Sequence, residues 1–271
     1  MELTSNQLKL TACAAMLCDH LAYAFLREVQ PADYILSCIG RLSFVLFAYL
    51  IAEGYFRTSN KWRYLGRLLV FAVLSEIPYD LAFSRTIFSP EDQNVFLTLA
   101  LGLLAVILAD EAAKRFGKMT PRGIALQALS IGACAAAAYF LRTDYDAMGV
   151  LLIAACFYFH YNLPAMAVSF IVLTAVFMGT SNEYFGVAAF LLIAMYHGKK
   201  GSGKAKYAFY AFYPVHLLII GSARNAVERR KGGTAGTGVV VRKNHHPRPR
   251  GSAFQISTDG KRSGSQTRSI S

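Results

Sequence analysis

The stretch ILSCIGRLSFVLFAYLIAEGYF, residues 35–56, carries only two charges, Arg41 and Glu53. Roughly 20 apolar residues in a helix span a hydrocarbon core about 30 Å thick. In that medium every backbone N–H and C=O must be paired within the chain, so an apolar run of this length reads as a membrane-crossing helix. The run shows no period-2 alternation, which argues against an outer-membrane type of barrel.

Eight further apolar segments lie on either side, near residues 8–26, 64–83, 95–110, 124–141, 147–160, 163–179, 184–197 and 207–220. Those at 147–160 and 184–197 are short for a full crossing, which leaves eight to ten spans. The composition fits this reading: 55% of the 271 residues are hydrophobic and 16% charged, against about a quarter charged in a soluble domain. The expected fold class is all-α, a polytopic transmembrane helical bundle. The first apolar run lacks a basic leader and contains Asp19 and His20, so it is read as a retained first span.

The net charge of +12 divides unevenly, because residues 221–271 alone supply +9. Residues 1–220 form the membrane domain, and 221–271 a basic tail. The tail's composition suits disorder or contact with anionic lipid. A third reading is a replaced native terminus, and no function is assigned to it. The body is not especially basic, and no nucleic-acid partner is expected. All five cysteines lie within apolar segments without zinc-type spacing to histidines. They read as packing residues, and no metal site is expected.

Loop charge sets the expected orientation. Arg57, Lys61, Arg63 and Arg67 follow the second span, Lys114, Arg115, Lys118 and Arg122 the fourth, and Lys199, Lys200, Lys204 and Lys206 precede the last. The positive-inside rule puts these three connections, and the N-terminus, in the cytoplasm.

Ionisable groups inside spans are costly and tend to face the bundle interior, either paired or functional. The first span holds Asp19 and His20 at mid-depth. Ala12, Ala15, Asp19 and Ala22 share one stripe suited to close helix packing, with His20 on the adjoining stripe. Arg41 sits in the outer half of the second span. Glu53 sits at its inner edge, four residues from Arg57 and able to pair with it. The third span carries Glu76 and Asp80 on either side of Pro78. The last carries Tyr210, Tyr213 and His216 around Pro214. Asp19, His20, Arg41, Glu76 and Asp80 are expected to converge in the middle or outer half of the membrane.

Several runs resemble one family. They are Leu8–Leu10 with Met16–His20, GRLSFVLFAYLIAEGYFRT (40–58), RLLVFAVLSEIPYDLAF (67–83), NVFLTLALGLL (94–104), DYDAMGVLLI (144–153) and KYAFYAFYPVHLLI (206–219). Together, in this order over about residues 5–220, they resemble the TraX family. Val45 stands where the resemblance leads one to expect a proline. The resemblance implies a multi-pass enzyme of the bacterial inner membrane that moves acetyl from acetyl-CoA to the amino terminus of a pilin or fimbrial subunit.

On that basis Arg57, Lys61, Arg63 and Arg67 would meet the phosphates of acetyl-CoA. His20 would act as general base or as a transient acetyl carrier. Glu76 or Asp80 would orient it, with His216 a second acid or base. Arg41 would either stabilise the oxyanion or simply neutralise a carboxylate. Two other classes stay open: a transporter, which needs the same intramembrane charges, and a non-enzymatic fimbrial assembly factor. The charged spans cluster in the first 83 residues without an internal repeat, which favours one localised site over a two-fold carrier.

Overall fold

The computed structural model describes residues 2–27, 29–84, 86–179, 182–201 and 206–233. Among them the chain is almost wholly helical. α1 (Ser5–Leu21) runs on into a π-helical turn (Ala22–Leu26). It is followed by α2 (Ala32–Arg57), α3 (Lys61–Phe83), α4 (Val95–Phe116), α5 (Pro121–Phe140), α6 (Asp146–Tyr158) and α7 (Leu163–Phe177). A 3-10 segment (Asn182–Ala188) then leads into α8 (Ala189–Ala194), and α9 (Lys206–Gly233) completes the bundle. Each expected apolar segment corresponds to one of these helices.

The helix starts follow from local chemistry. Thr4 and Gln7 form a reciprocal cap at the head of α1. Asn60, Asn94, Thr120 and Asn162 each accept a hydrogen bond from a first-turn backbone N–H of α3, α4, α5 and α7. Such side-chain acceptors satisfy N–H groups that a helix leaves open at its start.

α2 is the central element, packed against α1, α4, α6, α8 and the 3-10 segment. It runs unbroken through Val45, which is buried. α9 folds back onto α3 and α1, so the last of the described helices closes on the first. Leu8, Leu46, Leu68, Leu103, Leu152 and Leu217 are fully buried in one continuous core. The outward faces are apolar as well: Val70, Val73 and Ile77 on α3, Leu129 and Phe140 on α5, and Val168 and Val176 on α7 are all exposed. Helices that are apolar on both faces are what a bilayer-embedded bundle requires.

Three helices, α2, α4 and α5, are long and apolar enough to cross a membrane by length and composition. α6, α7 and the segment Asn182–Ala194 are apolar but shorter. The expectation of eight to ten spans thus meets nine helices of unequal length among the described residues.

The last helix departs from the sequence reading. Residues 221–233, expected to begin a disordered tail, prolong α9. Arg224 donates to the carbonyl of Ala82 at 3.0 Å, and its guanidinium lies 5.8 Å from the ring centre of Tyr23. These tertiary contacts are invisible to composition. The remainder of the basic tail lies outside the described residues.

Candidate functional site

α1 and α9 bring His20 and His216 together in the interior, both nearly inaccessible to solvent. Nδ1 of His20 lies 2.7 Å from Nε2 of His216, and the rings stack with centroids 5.0 Å apart. His216 Nδ1 lies 2.7 Å from the carbonyl oxygen of Phe212. A carbonyl only accepts, so that nitrogen carries the proton. With both rings neutral, His216 Nε2 accepts from Nδ1–H of His20, and the lone pair of His20 resides on Nε2. One backbone carbonyl thereby fixes both tautomers. Phe83 and Tyr213 pack edge-on against His20 at 5.2 and 6.1 Å. The π-helical turn begins two residues after His20, a widening of the helix that recurs at functional sites.

Asp19, on the neighbouring stripe of α1, faces α2. Arg41 donates through Nη2 to Asp19, through Nη1 to Glu183 at 2.5 Å, and through Nε to the carbonyl of Ser37 at 3.2 Å. One guanidinium therefore joins α1, α2 and the 3-10 segment. The close approach depends on Gly40: a Cβ there would meet Cβ of Asp19 at 2.4 Å. Ala12, Ala15 and Ala22 on the Asp19 stripe are buried, as expected.

Glu76 and Asp80 lie at the opposite end of α3 from its basic start. Nδ2 of Asn94 donates to Glu76 Oε2 and, at 2.8 Å, to the carbonyl of Ala72. Asp80 is fully buried and accepts from the backbone N–H of Ser89 at 2.7 Å.

A cavity of about 370 Å³ opens where α1 and α3 begin and α2 ends, a volume within the usual range of ligand sites. Its mouth carries Lys9, Arg57, Arg67 and Lys200, and its inner end reaches Met16, Phe96 and Tyr213. Tyr213 also packs against both histidines, so the imidazoles stand directly behind the inner wall. Nε of Arg67 is buried without a hydrogen-bond partner, leaving a donor for an anion. The first residues of the chain finish the rim: the backbone N–H of Leu3 donates to Met195 O at 2.9 Å, and that of Ser5 to Lys199 O at 3.0 Å.

Glu53 is the hub of the mouth. Its buried carboxylate accepts from Arg57, from the Tyr196 hydroxyl at 2.8 Å and from His160 Nε2 at 2.7 Å. Arg57 continues to the carbonyl of Gly198 at 2.6 Å. The pairing of Glu53 with Arg57 is as expected, whereas Tyr196 and His160 enter from distant parts of the chain.

The structure distributes the expected constellation over three clusters. Asp19 meets Arg41, His20 meets His216, and Glu76 shares Asn94. Nδ1 of His20 is bonded by His216, where the sequence suggested Glu76 or Asp80. Nε, Nη1 and Nη2 of Arg41 are each engaged by protein oxygens, which suits charge neutralisation better than oxyanion binding. Of the four basic residues expected to meet acetyl-CoA, Arg57 and Arg67 line the cavity. Lys61 is turned to Asp110, 3.0 Å away, and to Tyr55, and Arg63 is exposed outside the cavity. Sequence reasoning missed Glu183 and Asn94, and gave no role to Lys9 and Lys200 as rim cations. Among the described residues no group of three or more His, Cys, Asp or Glu is placed to hold a metal ion.

Residues 4–224 match the family model described as TraX protein. A protein of Dichelobacter nodosus, "Probable fimbrial assembly protein FimC, serogroup H1", is 28% identical over 247 residues, covering 83% of this chain and 97% of that protein. No solved structure matches.

Proposed function

This chain belongs to the TraX family, and on that premise we propose that it serves pilus or fimbria assembly as a membrane-bound N-acetyltransferase. With three helices able to cross a bilayer, it is a membrane protein. In this reading acetyl-CoA is the donor and the amino terminus of a pilin or fimbrial subunit the acceptor. The relative's name speaks of fimbrial assembly. The acetyl chemistry is our own extension, and the site is expected in the bacterial inner membrane with the basic mouth toward the cytoplasm.

The observation that carries the proposal is a cavity with a basic mouth whose inner wall, at Tyr213, is backed by a buried histidine pair. Arg57, Arg67, Lys9 and Lys200 offer positive charge to phosphates, while the apolar inner end suits a thioester arm. The amine nitrogen attacks the thioester carbonyl as His20 Nε2 removes its proton. The tetrahedral intermediate collapses, its C–S bond breaks, and the CoA thiolate leaves and takes up a proton. Tyr213, between cavity and imidazoles, is positioned to offer its hydroxyl to the oxyanion. Both sources of substrate fit the architecture, since an acceptor with an apolar helix reaches such a site laterally from the bilayer.

The test is intact-mass spectrometry of the host's pilin with the gene present and deleted. An acetyl-sized mass difference supports the reading, and identical masses overturn it. A non-catalytic assembly role is the second reading, favoured by a relative whose name mentions assembly and no reaction. Pilin of unchanged mass that fails to assemble when the gene is deleted would support that alternative.

A further inference from the structure

Glu76, which is part-buried, and Asp80, which is fully buried, differ from the other carboxylates inside the bundle. Asp19 and Glu183 share Arg41, Glu53 has Arg57, and Asp110 has Lys61 and Lys114. Among the described residues no cation pairs with Glu76 or Asp80. Each also keeps one oxygen, Glu76 Oε1 and Asp80 Oδ1, sealed from solvent without a hydrogen-bond partner. A buried carboxyl oxygen without a donor is costly and uncommon in a folded interior. Here two of them stand four residues apart on one face of α3. Such a pair of acceptors suits a compact cation with several N–H donors.

We propose that Glu76 and Asp80 form the subsite that receives the acceptor's charged amino group. This rests on reading the chain as an amine acetyltransferase, and it names the chemistry by which the acceptor is recognised: a primary ammonium, which gives one proton to the carboxylate pair and then attacks as the neutral amine, its second proton passing to His20.

Position supports the assignment. Asn94, bonded to Glu76, immediately precedes Val95 and Phe96, which line the cavity near its inner end. Phe83, three residues beyond Asp80, packs on His20 at 5.2 Å. The carboxyl pair is therefore linked to the inner wall of the cavity through Asn94, and to the histidine pair through the last turn of α3. Charge is also segregated along α3. Arg67 and Asp80 are separated by about 20 Å of helix at 1.5 Å per residue, so the phosphates of a donor and the ammonium of an acceptor are each drawn to opposite ends. The two substrates would then meet at His20 from two directions.

The test uses the purified full-length chain in detergent with two probes, n-butylammonium chloride and n-butanol. They share an alkyl body and differ in the cationic head. Thermal unfolding is followed at increasing probe concentration. The ammonium is expected to raise the melting temperature by a few degrees at saturation, the alcohol to leave it unchanged. The shift should vanish in the Glu76→Gln/Asp80→Asn double variant and shrink in Glu76→Gln alone. These near-isosteric changes remove buried charge, so folding should be retained and unliganded stability should not fall. An equal ammonium shift in the double variant, an equal response to the alcohol, or no response in the wild-type chain overturns the subsite. Acetyl transfer to pilin is measured separately. A chain that acetylates pilin but ignores butylammonium sinks the subsite alone. One that binds butylammonium through these residues but never acetylates sinks the enzyme reading and leaves the ammonium site standing.

Discussion

His20 and His216 share a hydrogen bond of 2.7 Å across 196 residues of sequence. That bond, together with the one from His216 Nδ1 to Phe212 O, leaves His20 Nε2 as the basic nitrogen when both rings are neutral. If this nitrogen takes the proton of the attacking amine, His20→Ala should lower acetyl transfer by about 10²- to 10⁴-fold, the usual range for general acid–base catalysis. The assay is label transfer from acetyl-CoA to a pilin-derived peptide by purified protein. A His20→Ala chain as fast as wild type would remove His20 from the chemistry.

Acetyl-CoA affinity should divide the four basic residues singled out by sequence. Arg67→Ala removes a cavity-lining guanidinium and should raise KM for acetyl-CoA about tenfold, a loss comparable to one charge-assisted hydrogen bond. Arg63→Ala, exposed outside the cavity, should leave KM near wild type. Equal effects of the two substitutions would mean that the donor binds elsewhere.

Arg41→Ala should cost about 3–5 kcal/mol, because it removes the guanidinium that balances the carboxylates of Asp19 and Glu183 inside the bundle. Replacing all three together, as Asp19→Asn, Arg41→Met and Glu183→Gln, should recover much of the loss. Thermal unfolding in detergent decides the matter: a triple variant no better than Arg41→Ala would show that the cluster's worth is not charge balance.

Helix contact at Asp19 should be intolerant of a single methyl. Gly40→Ala sets a carbon 2.4 Å from Cβ of Asp19, so α1 and α2 must separate and stability should fall. Gly66→Ala is the control, since a Cβ there meets nothing within 4 Å. It should raise stability by about 0.5–1 kcal/mol through helix propensity. The opposite ranking in a melting experiment would contradict the packing described.

The hub at Glu53 should show in both stability and binding. Tyr196→Phe removes one of three donors and should cost about 1 kcal/mol. Glu53→Ala strands Arg57, His160 and Tyr196 together and should cost several times more, with a rise in KM for acetyl-CoA as Arg57 loses its anchor. Comparable costs for the two changes would argue that the carboxylate is not the organising group.

What the sequence disclosed was whatever is written locally. Apolar run lengths located the nine helices of the described residues, and the alanine stripe marked a buried face of α1, on which Asp19 meets Arg41 and Gly40 of α2. The Glu53–Arg57 spacing of four announced its own ion pair. Long-range partners were not legible. Glu183 lies 142 residues from Arg41 in a short 3-10 segment, and nothing in its surroundings announces a guanidinium opposite. Depth along a helix suggested that His20 and Glu76 should meet, but depth says nothing about azimuth, and the packing of α9 on α1 gave that place to His216. The end of α9 was misjudged for a related reason. Hydropathy stops at Ile220, while the contacts that extend the helix are made by Arg224 with Ala82 and Tyr23.

The rim of the cavity joins Leu3 and Ser5 to residues 195–199, and its inner wall joins α1 to α9. Biogenesis inherits an order from this. α1 is made well before its partners and must wait, incompletely dressed, until α9 follows it out of the ribosome. A product truncated ahead of residue 195 would lack both the rim and the imidazole partner of His20, so premature termination leaves neither half of the site behind.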